Sequence, residues 1–439
     1  MFKETSKELL DFLSKCPTAF HAVENYRQIL NADGFEELLE SEHWNIVPGG
    51  KYYVTRNNTS ILAFKVGTKL DNYSFNIVTS HTDSPTFKVK ENAEIEVKNK
   101  YTQLNTEGYG GMLCATWLDR PLSIAGRVLV SEGNSIVTKL LNIDRDLLMI
   151  PNVAIHMNRA ANDGFKYNLQ VDMLPLLSAG DDRQKDFKQI IADELGVKKE
   201  DILGHDLYLY NRMAPSIWGA NEEFISAGHL DDLQCGFASL KALLAGYNDE
   251  SIDIMACFDN EEVGSGTKQG ADSTLLRDTL TRINSALGKT EEDYHRALAS
   301  SFMLSADNAH AVHPNHPEHT DATNCTYMNE GVVVKSHAGQ KYTSDGVSMA
   351  VVKALAGGVD VPLQYFANRS DKAGGSTLGN IAMAQASMNA VDIGLPQLAM
   401  HSSYETAGIK DTYYAITLMK ALFDSHIQET STHSLEIKR

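Results

Sequence analysis

The chain has 439 residues, 43% hydrophobic and 22% charged, with 57 acidic against 39 basic side chains and a net charge of −18. This length predicts two domains, and this composition a globular protein with a large core. The acidity would repel a polyanion, so nucleic acid is not an expected partner. No run of 18 apolar residues occurs, so no membrane span is expected either.

The first 18 residues lack a basic stretch followed by an apolar core. They read as an amphipathic helix with Leu9, Leu10, Phe12 and Leu13 inward, not as a signal peptide. The five cysteines, Cys16, Cys114, Cys235, Cys257 and Cys325, are scattered, with no Cys-x-x-Cys pair. They read as buried free thiols of a reducing compartment, which predicts a cytoplasmic protein.

Five apolar, β-rich runs follow along the chain: Phe75–Ser80, Ile252–Phe258, Phe302–Ala306, Leu363–Ala367 and Pro396–Met400. Helical spacing of apolar residues appears at Leu233–Tyr247, Ser344–Ala356 and Ser376–Met388. Strands alternating with helices predict an α/β fold, a mostly parallel central sheet flanked by helices. Residues 89–228 break this rhythm with short alternating strands, a Gly-rich turn at 108–112 and a charged helix near 184–195. They read as a second, β-rich domain inserted into a first domain made of 1–88 and 229–439. The polar tail, Glu429–Arg439, is expected to fray.

Chemistry-bearing residues gather where the strands end. His81 and Asp83 follow the first run, Asp259 to Glu262 the second, Asp307 the third and His401 the last. Asp231 and Asp232 open the helix near Leu233. In parallel sheets the carboxyl ends of the strands form the binding rim, and imidazoles mixed with carboxylates are zinc ligands. Each member also has a bland reading. His-x-Asp occurs three times, at His81, His229 and His319, and only the first follows a predicted strand. Asp231–Asp232 could cap a helix N-terminus, Glu261–Glu262 could be a solvated turn, Asp307 a strand-end turn residue and His401 a core histidine. The constellation, not any member, carries the metal reading. His310, His313, His316 and His319 share a three-residue spacing, but Pro314 and Pro317 forbid a continuous helix there, so an independent metal site is not expected.

The segments Ser80–Pro85 (SHTDSP), Leu230–Leu233 (LDDL), Asp259–Gly264 (DNEEVG), Ser305–Asn315 (SADNAHAVHPN) and Met400–Ser402 (MHS) resemble, in order, the motifs of the aspartyl aminopeptidase family. Phe20–Val23, Trp44–Asn45, Thr116–Arg120 and Ala125–Val128 extend the resemblance over nearly the whole chain. Leu230-Asp231-Asp232 departs from the Leu-Asp-Asn of eukaryotic members, although related two-zinc peptidases use Asp-Asp.

The resemblance implies a metallo-aminopeptidase that removes single N-terminal residues, acidic ones preferentially, with two zinc ions per subunit. Asp231 would bridge the zincs, His81 and Asp307 would complete one, and Glu262 and His401 the other. Glu261 would be the general base for attack by a zinc-bound water, and Asp83 would orient His81. A cis peptide between Asp231 and Asp232 is also implied. Lys335 would line the pocket for an acidic substrate side chain, against a bland reading as a surface lysine. His156 would reach into a neighbouring subunit's site, against a core histidine. The expected partners are peptide substrates and further copies of the chain, assembled through the inserted domain into dimers and then a tetrahedral dodecamer. The rival readings are a neutral or leucine-type aminopeptidase, a catalytically silent metal-bound scaffold, and a dizinc amidohydrolase or carboxypeptidase.

Overall fold

The computed structural model describes residues 1–180, 186–432 and 434–439. Its frame is a nine-stranded sheet in the order Glu36–Glu37, Lys51–Arg56, Ser60–Val66, Ser251–Phe258, Ser74–His81, Phe302–Ala306, Asn389–Gly394, Val332–Lys335 and Leu363–Phe366. The four strands from Ser251–Phe258 to Asn389–Gly394 are mutually parallel. Every residue of Ser74–His81 and Ser251–Phe258 is buried, which explains their continuous apolar character: both faces of these strands are covered.

Alternation along the strands sorts their side chains into two layers. Val78, Met255 and Cys257 join one core with Leu9, Leu13, Tyr26, Phe237 and Leu418. Phe75, Ile77, Ile254 and Phe258 join the other with Leu275, Leu280, Ile283 and Leu378. Helices Phe2–Ser14, Ala19–Ala32, Leu230–Ala245 and Asp411–Phe423 cover the first layer, and Leu275–Ala286 and Leu378–Gln385 the second. The expected α/β architecture is therefore the one adopted. As expected, the N-terminal helix buries Leu9, Leu10, Phe12 and Leu13.

A second sheet of six antiparallel strands lies between Thr86 and Asn211. Its order is Ser135–Asn142, Leu122–Glu132, Ile202–Asn211, Thr86–Val97, Tyr101–Tyr109 and Leu176–Ala179. It has its own core around Phe87, Leu104, Trp117, Leu122 and Leu207. The charged helix expected near 184–195 runs Phe187–Leu195, and residues 184–185 lie outside the described residues. Asp186 caps it by accepting from the Gln189 N–H, and Gly196, at φ 65°, ends it in the left-handed conformation that glycine adopts freely.

Three expectations need correction. Pro396–Leu398 does not belong to the central sheet. It lies in a five-stranded sheet ordered Ser216–Trp218, Phe224–Ala227, Glu405–Gly408, Pro396–Leu398 and Ala309–His310. The central strand at that position is Asn389–Gly394, and Gly394, Leu395 and Pro396 run directly from one sheet to the other. The tail does not fray as a whole: His426–Ser431 pairs with Ser434–Lys438 as an antiparallel hairpin. All five cysteines are free, but only Cys16, Cys235 and Cys257 are buried, with Cys114 and Cys325 half-buried.

Candidate metal centre

The carboxyl ends of the parallel strands meet on one rim. His81 pairs in register with Phe258, so His81–Asp83 and Asp259–Glu262 leave the sheet side by side. Asp307 leaves the next strand. It can do so only because Gly394 lies behind it, where a Cβ would fall 2.1 Å from the Asp307 carbonyl oxygen. Strand Phe224–Ala227 pairs with Glu405–Gly408 and feeds directly into His229, Leu230 and Asp231. His401 sits in the turn between the antiparallel strands Pro396–Leu398 and Glu405–Gly408, with a left-handed backbone (φ 66°).

Asp231 is the centre of the cluster. One carboxylate oxygen, Oδ1, lies 3.5 Å from His81 Nε2, and the other, Oδ2, lies 3.4 Å from His401 Nε2. His401 Nε2 is also 3.4 Å from Glu262 Oε2. Two groups result, His81–Asp231–Asp307 and Asp231–Glu262–His401, and within each the ligand-capable atoms lie within 4.8 Å of one another. Glu261 joins His81 and Glu262 in a third such group. The peptide between Asp231 and Asp232 is cis. Asp231 and Asp232 do not cap the helix through their side chains: residues 231 and 232 have non-helical backbone, and no side-chain cap bond forms there.

The electrostatics call for a cation. Burial pushes the Glu261 carboxyl up to about 8, and Asp307, Asp83 and Asp231 add to the shift. Glu262 is driven up by burial and then by Asp231. Burial alone would lower His401, but Asp231 and Glu262 outweigh it and lift the imidazole to about 10. Asp231 Oδ1 and Glu262 Oε1 are buried without a hydrogen-bond partner. Burying carboxylate oxygens without a donor is costly, and bound metal ions would remove that cost and reverse the local pKa pattern. Nitrogen and oxygen donors in these two sets fit zinc.

Asp83 does more than face an imidazole. Its Oδ1 lies 3.5 Å from His81 Nδ1, while its main-chain oxygen is closer to that nitrogen, at 3.0 Å. Its carboxylate accepts the N–H groups of Glu261 (3.1 Å) and Glu262 (3.2 Å), and so anchors the turn that carries both acids. Lys335, read blandly as a surface lysine, is buried. Its Nζ donates to the Asn308 carbonyl at 2.9 Å and lies 3.7 Å from Asp307 Oδ1. His156 is exposed, in a segment of turns within the inserted region, and takes no part in the three metal-capable groups of the rim.

Two contributors were not singled out from the sequence. Glu405 is buried and accepts the N–H of Asp231 (3.0 Å) and the N–H of His401 (2.8 Å), so one carboxylate braces both groups that share Asp231. Its position four residues after His401 was the available signal. Tyr109, from the six-stranded sheet, donates to Asp83 Oδ2 at 2.7 Å and accepts from Asn260 at 2.8 Å. Nothing local in the sequence marks it. From the same region, the Gly111 carbonyl lies 2.9 Å from His401 Nδ1.

Residues 12–423 match the family described as Aminopeptidase I zinc metalloprotease (M18). A probable M18 family aminopeptidase 2 of Clostridium novyi (strain NT) is 47% identical over 425 residues, covering 95% of this chain and 98% of the relative. Among solved structures, a chain of the Ape4 and Nbr1 complex superposes with a TM-score of 0.93 at 34% identity, covering 96% of this chain and 86% of that one. A chain of the S. cerevisiae mApe1 dodecamer does so with a TM-score of 0.84 at 28% identity, covering 96% and 97%. With a family match across nearly the whole length and a rim that gathers zinc-type ligands, the chain belongs to the M18 family of aminopeptidases, which are zinc metalloproteases.

Proposed function

We propose that this M18 aminopeptidase works with two zinc ions per chain and releases single N-terminal residues from peptides, acidic ones preferentially. His81, Asp231 and Asp307 would hold one ion and Asp231, Glu262 and His401 the other. The observation that carries this reading is Asp231, whose two oxygens face different imidazoles. When bound, zinc supplies Lewis acidity and lowers the pKa of water from 15.7 to about 7.

The chain's own groups do the rest. Glu261 takes a proton from the attacking water on its carboxylate and delivers it to the leaving amide nitrogen, a contribution of about 10²–10⁴-fold. Asp83 holds Glu261 in place through its N–H and keeps the His81 ring oriented. The free α-amine of the substrate finds its counter-charge among the rim carboxylates, which restricts cleavage to the first residue.

Lys335 and a nearby cavity of about 300 Å³, lined by His310, Arg369, Lys372 and Met400, support the acidic preference. One observation favours a neutral or leucine-type aminopeptidase instead: the Lys335 ammonium is already engaged by Asn308 and Asp307. Release of fluorophores from aspartyl, glutamyl and leucyl conjugates by the zinc-loaded protein decides between them. Faster turnover of the leucyl conjugate removes the acidic preference. No release from any aminoacyl conjugate removes the aminopeptidase reading.

The reading includes a division into a catalytic domain of 1–88 and 229–439 and an oligomerisation domain of 89–228, in a cytoplasmic homo-oligomer that could extend to a tetrahedral dodecamer. Its support is the separate core of the six-stranded sheet, the free cysteines, the dodecameric relative and exposed apolar side chains such as Val153, Ile155 and Met157. Among the described residues no helix is long and apolar enough to cross a membrane. In such an assembly His156 would complete a neighbour's site.

A further inference from the structure

The histidines after Asp307 lie outside the machinery described above. Pro314 and Pro317 do break the chain, as their lack of an N–H requires: His310 lies in a two-residue strand, and Pro317–His319 forms one 3₁₀ turn. The turn nevertheless gathers ligand-capable side chains without a continuous helix. The ligand-capable atoms of His316, Glu318 and His319 all lie within 4.8 Å of one another. His316 Nδ1 is 3.1 Å from Glu318 Oε1. The rings of His316 and His319 stack at 5.4 Å and 25°, and the ring of His313 lies 5.4 Å from that of His316.

This arrangement is braced from its own backbone. The His316 N–H donates to the His313 carbonyl at 3.0 Å and the His319 N–H to the His316 carbonyl at 3.2 Å. The Thr320 hydroxyl donates to the Pro317 carbonyl at 2.7 Å. Arg369 bonds the Glu318 carbonyl while Asp371 holds its guanidinium. The ligands are therefore positioned without help from an ion, which lowers the ordering cost of binding one.

We propose that His316, Glu318 and His319 form a further metal site, separate from the Asp231 cluster, for a divalent transition ion of the zinc type. Two imidazoles and one carboxylate favour zinc or copper over magnesium or calcium, which prefer all-oxygen sets. Three protein ligands on an exposed turn leave coordination positions for water, and His313 is close enough to supply another nitrogen. His313 and His319 also line the cavity of about 300 Å³ that Met400 lines, so an ion here would sit at the wall of that cavity.

The test is a calorimetric titration of the zinc-loaded, full-length protein with zinc chloride, with metal content measured before and after. One further zinc ion per chain should bind saturably, and magnesium chloride at the same concentration should not bind. The double variant His316→Ala, His319→Ala should lose this additional ion and keep the parent's original metal content and melting temperature. In the unsubstituted protein, added zinc should protect His316 and His319 from diethyl pyrocarbonate, read by peptide mapping, and leave the exposed His295 reactive. Equal uptake by the double variant overturns the proposal. So does an absence of saturable uptake, or unprotected His316 and His319 at saturating zinc.

Discussion

The rim of the central sheet and the segment 149–171 of the inserted region solve opposite problems. On the rim, charged groups are buried: Asp231 is 2% exposed, Asp307 8% and His81 1%. Along 149–171, apolar groups are exposed: Met157 is 82% exposed, Val171 69% and Val153 54%. Each is the unfavourable placement for its chemistry. The buried charges are tolerable only with partners, and the rim supplies them from the same chain: imidazoles, N–H donors and two ligand sets shaped for cations. The exposed apolar side chains lack such cover among the described residues. The rim therefore gathers its candidate ligands from a single chain, whereas the apolar side chains of 149–171 face solvent, as those of an interface would in an isolated chain.

The strongest way to break the self-contained half of this comparison is Glu261→Gln. Glutamine keeps the size and cannot accept the proton, so turnover should fall at least about a hundredfold with metal content unchanged by mass spectrometry. Near-parental turnover at full metal occupancy would end the role assigned to Glu261. Glu405→Ala tests whether the brace matters as much as the ligands. It leaves the N–H groups of Asp231 and His401 without their acceptor, and groups of this kind contribute about 10–100-fold to metal affinity. A chelator competition assay reads that loss, and an unchanged affinity would show that the two groups are positioned without it.

A smaller effect is expected at Lys335. A charge-assisted contact is worth about 1.5–3 kcal/mol, so Lys335→Ala should shift the ratio of aspartyl to leucyl kcat/KM by about tenfold. Equal losses on both substrates would confine Lys335 to supporting Asp307. The other half of the comparison is sharpened by Met157→Glu with Val171→Glu. Surface changes of this type alter the stability of a single chain by about 0.5 kcal/mol or less, so the melting transition should barely move while the mass by light scattering falls. Mixing His156→Ala with Glu261→Gln chains then tests the link between the halves. Some mixed sites would carry an intact Glu261 and a neighbour's intact His156, and activity should partly return. No recovery despite proven subunit mixing would detach His156 from the site.

The rim residues His81, Asp83, Glu261, Glu262 and Asp307 were legible because they obey a local rule: each follows a buried apolar run, and parallel strands deliver their carboxyl ends to one edge. His401 was found by the same reasoning applied to the wrong sheet. The run before it reads as a central strand because so short a run cannot announce which sheet it will join. Lys335 looked peripheral for a related reason: its strand is four residues long, and its burial comes from neighbours at 307–308 and 342 that no periodicity reveals.

The order of ligand-bearing strand ends, the helices between them and the interruption by a β-rich stretch are written in apolar spacing and turn residues, because these depend on neighbours a few positions away. Only the tertiary structure decided that Asp231 turns one oxygen to His81 and the other to His401, that Glu405 ties the backbones of residues 231 and 401 together, and that Tyr109 crosses from the second sheet to Asp83. It also decided that the prolines among the late histidines shape a turn instead of merely ending a helix. Those contacts join residues far apart in the chain, and their energy depends on direction and burial, which local sequence pattern does not carry.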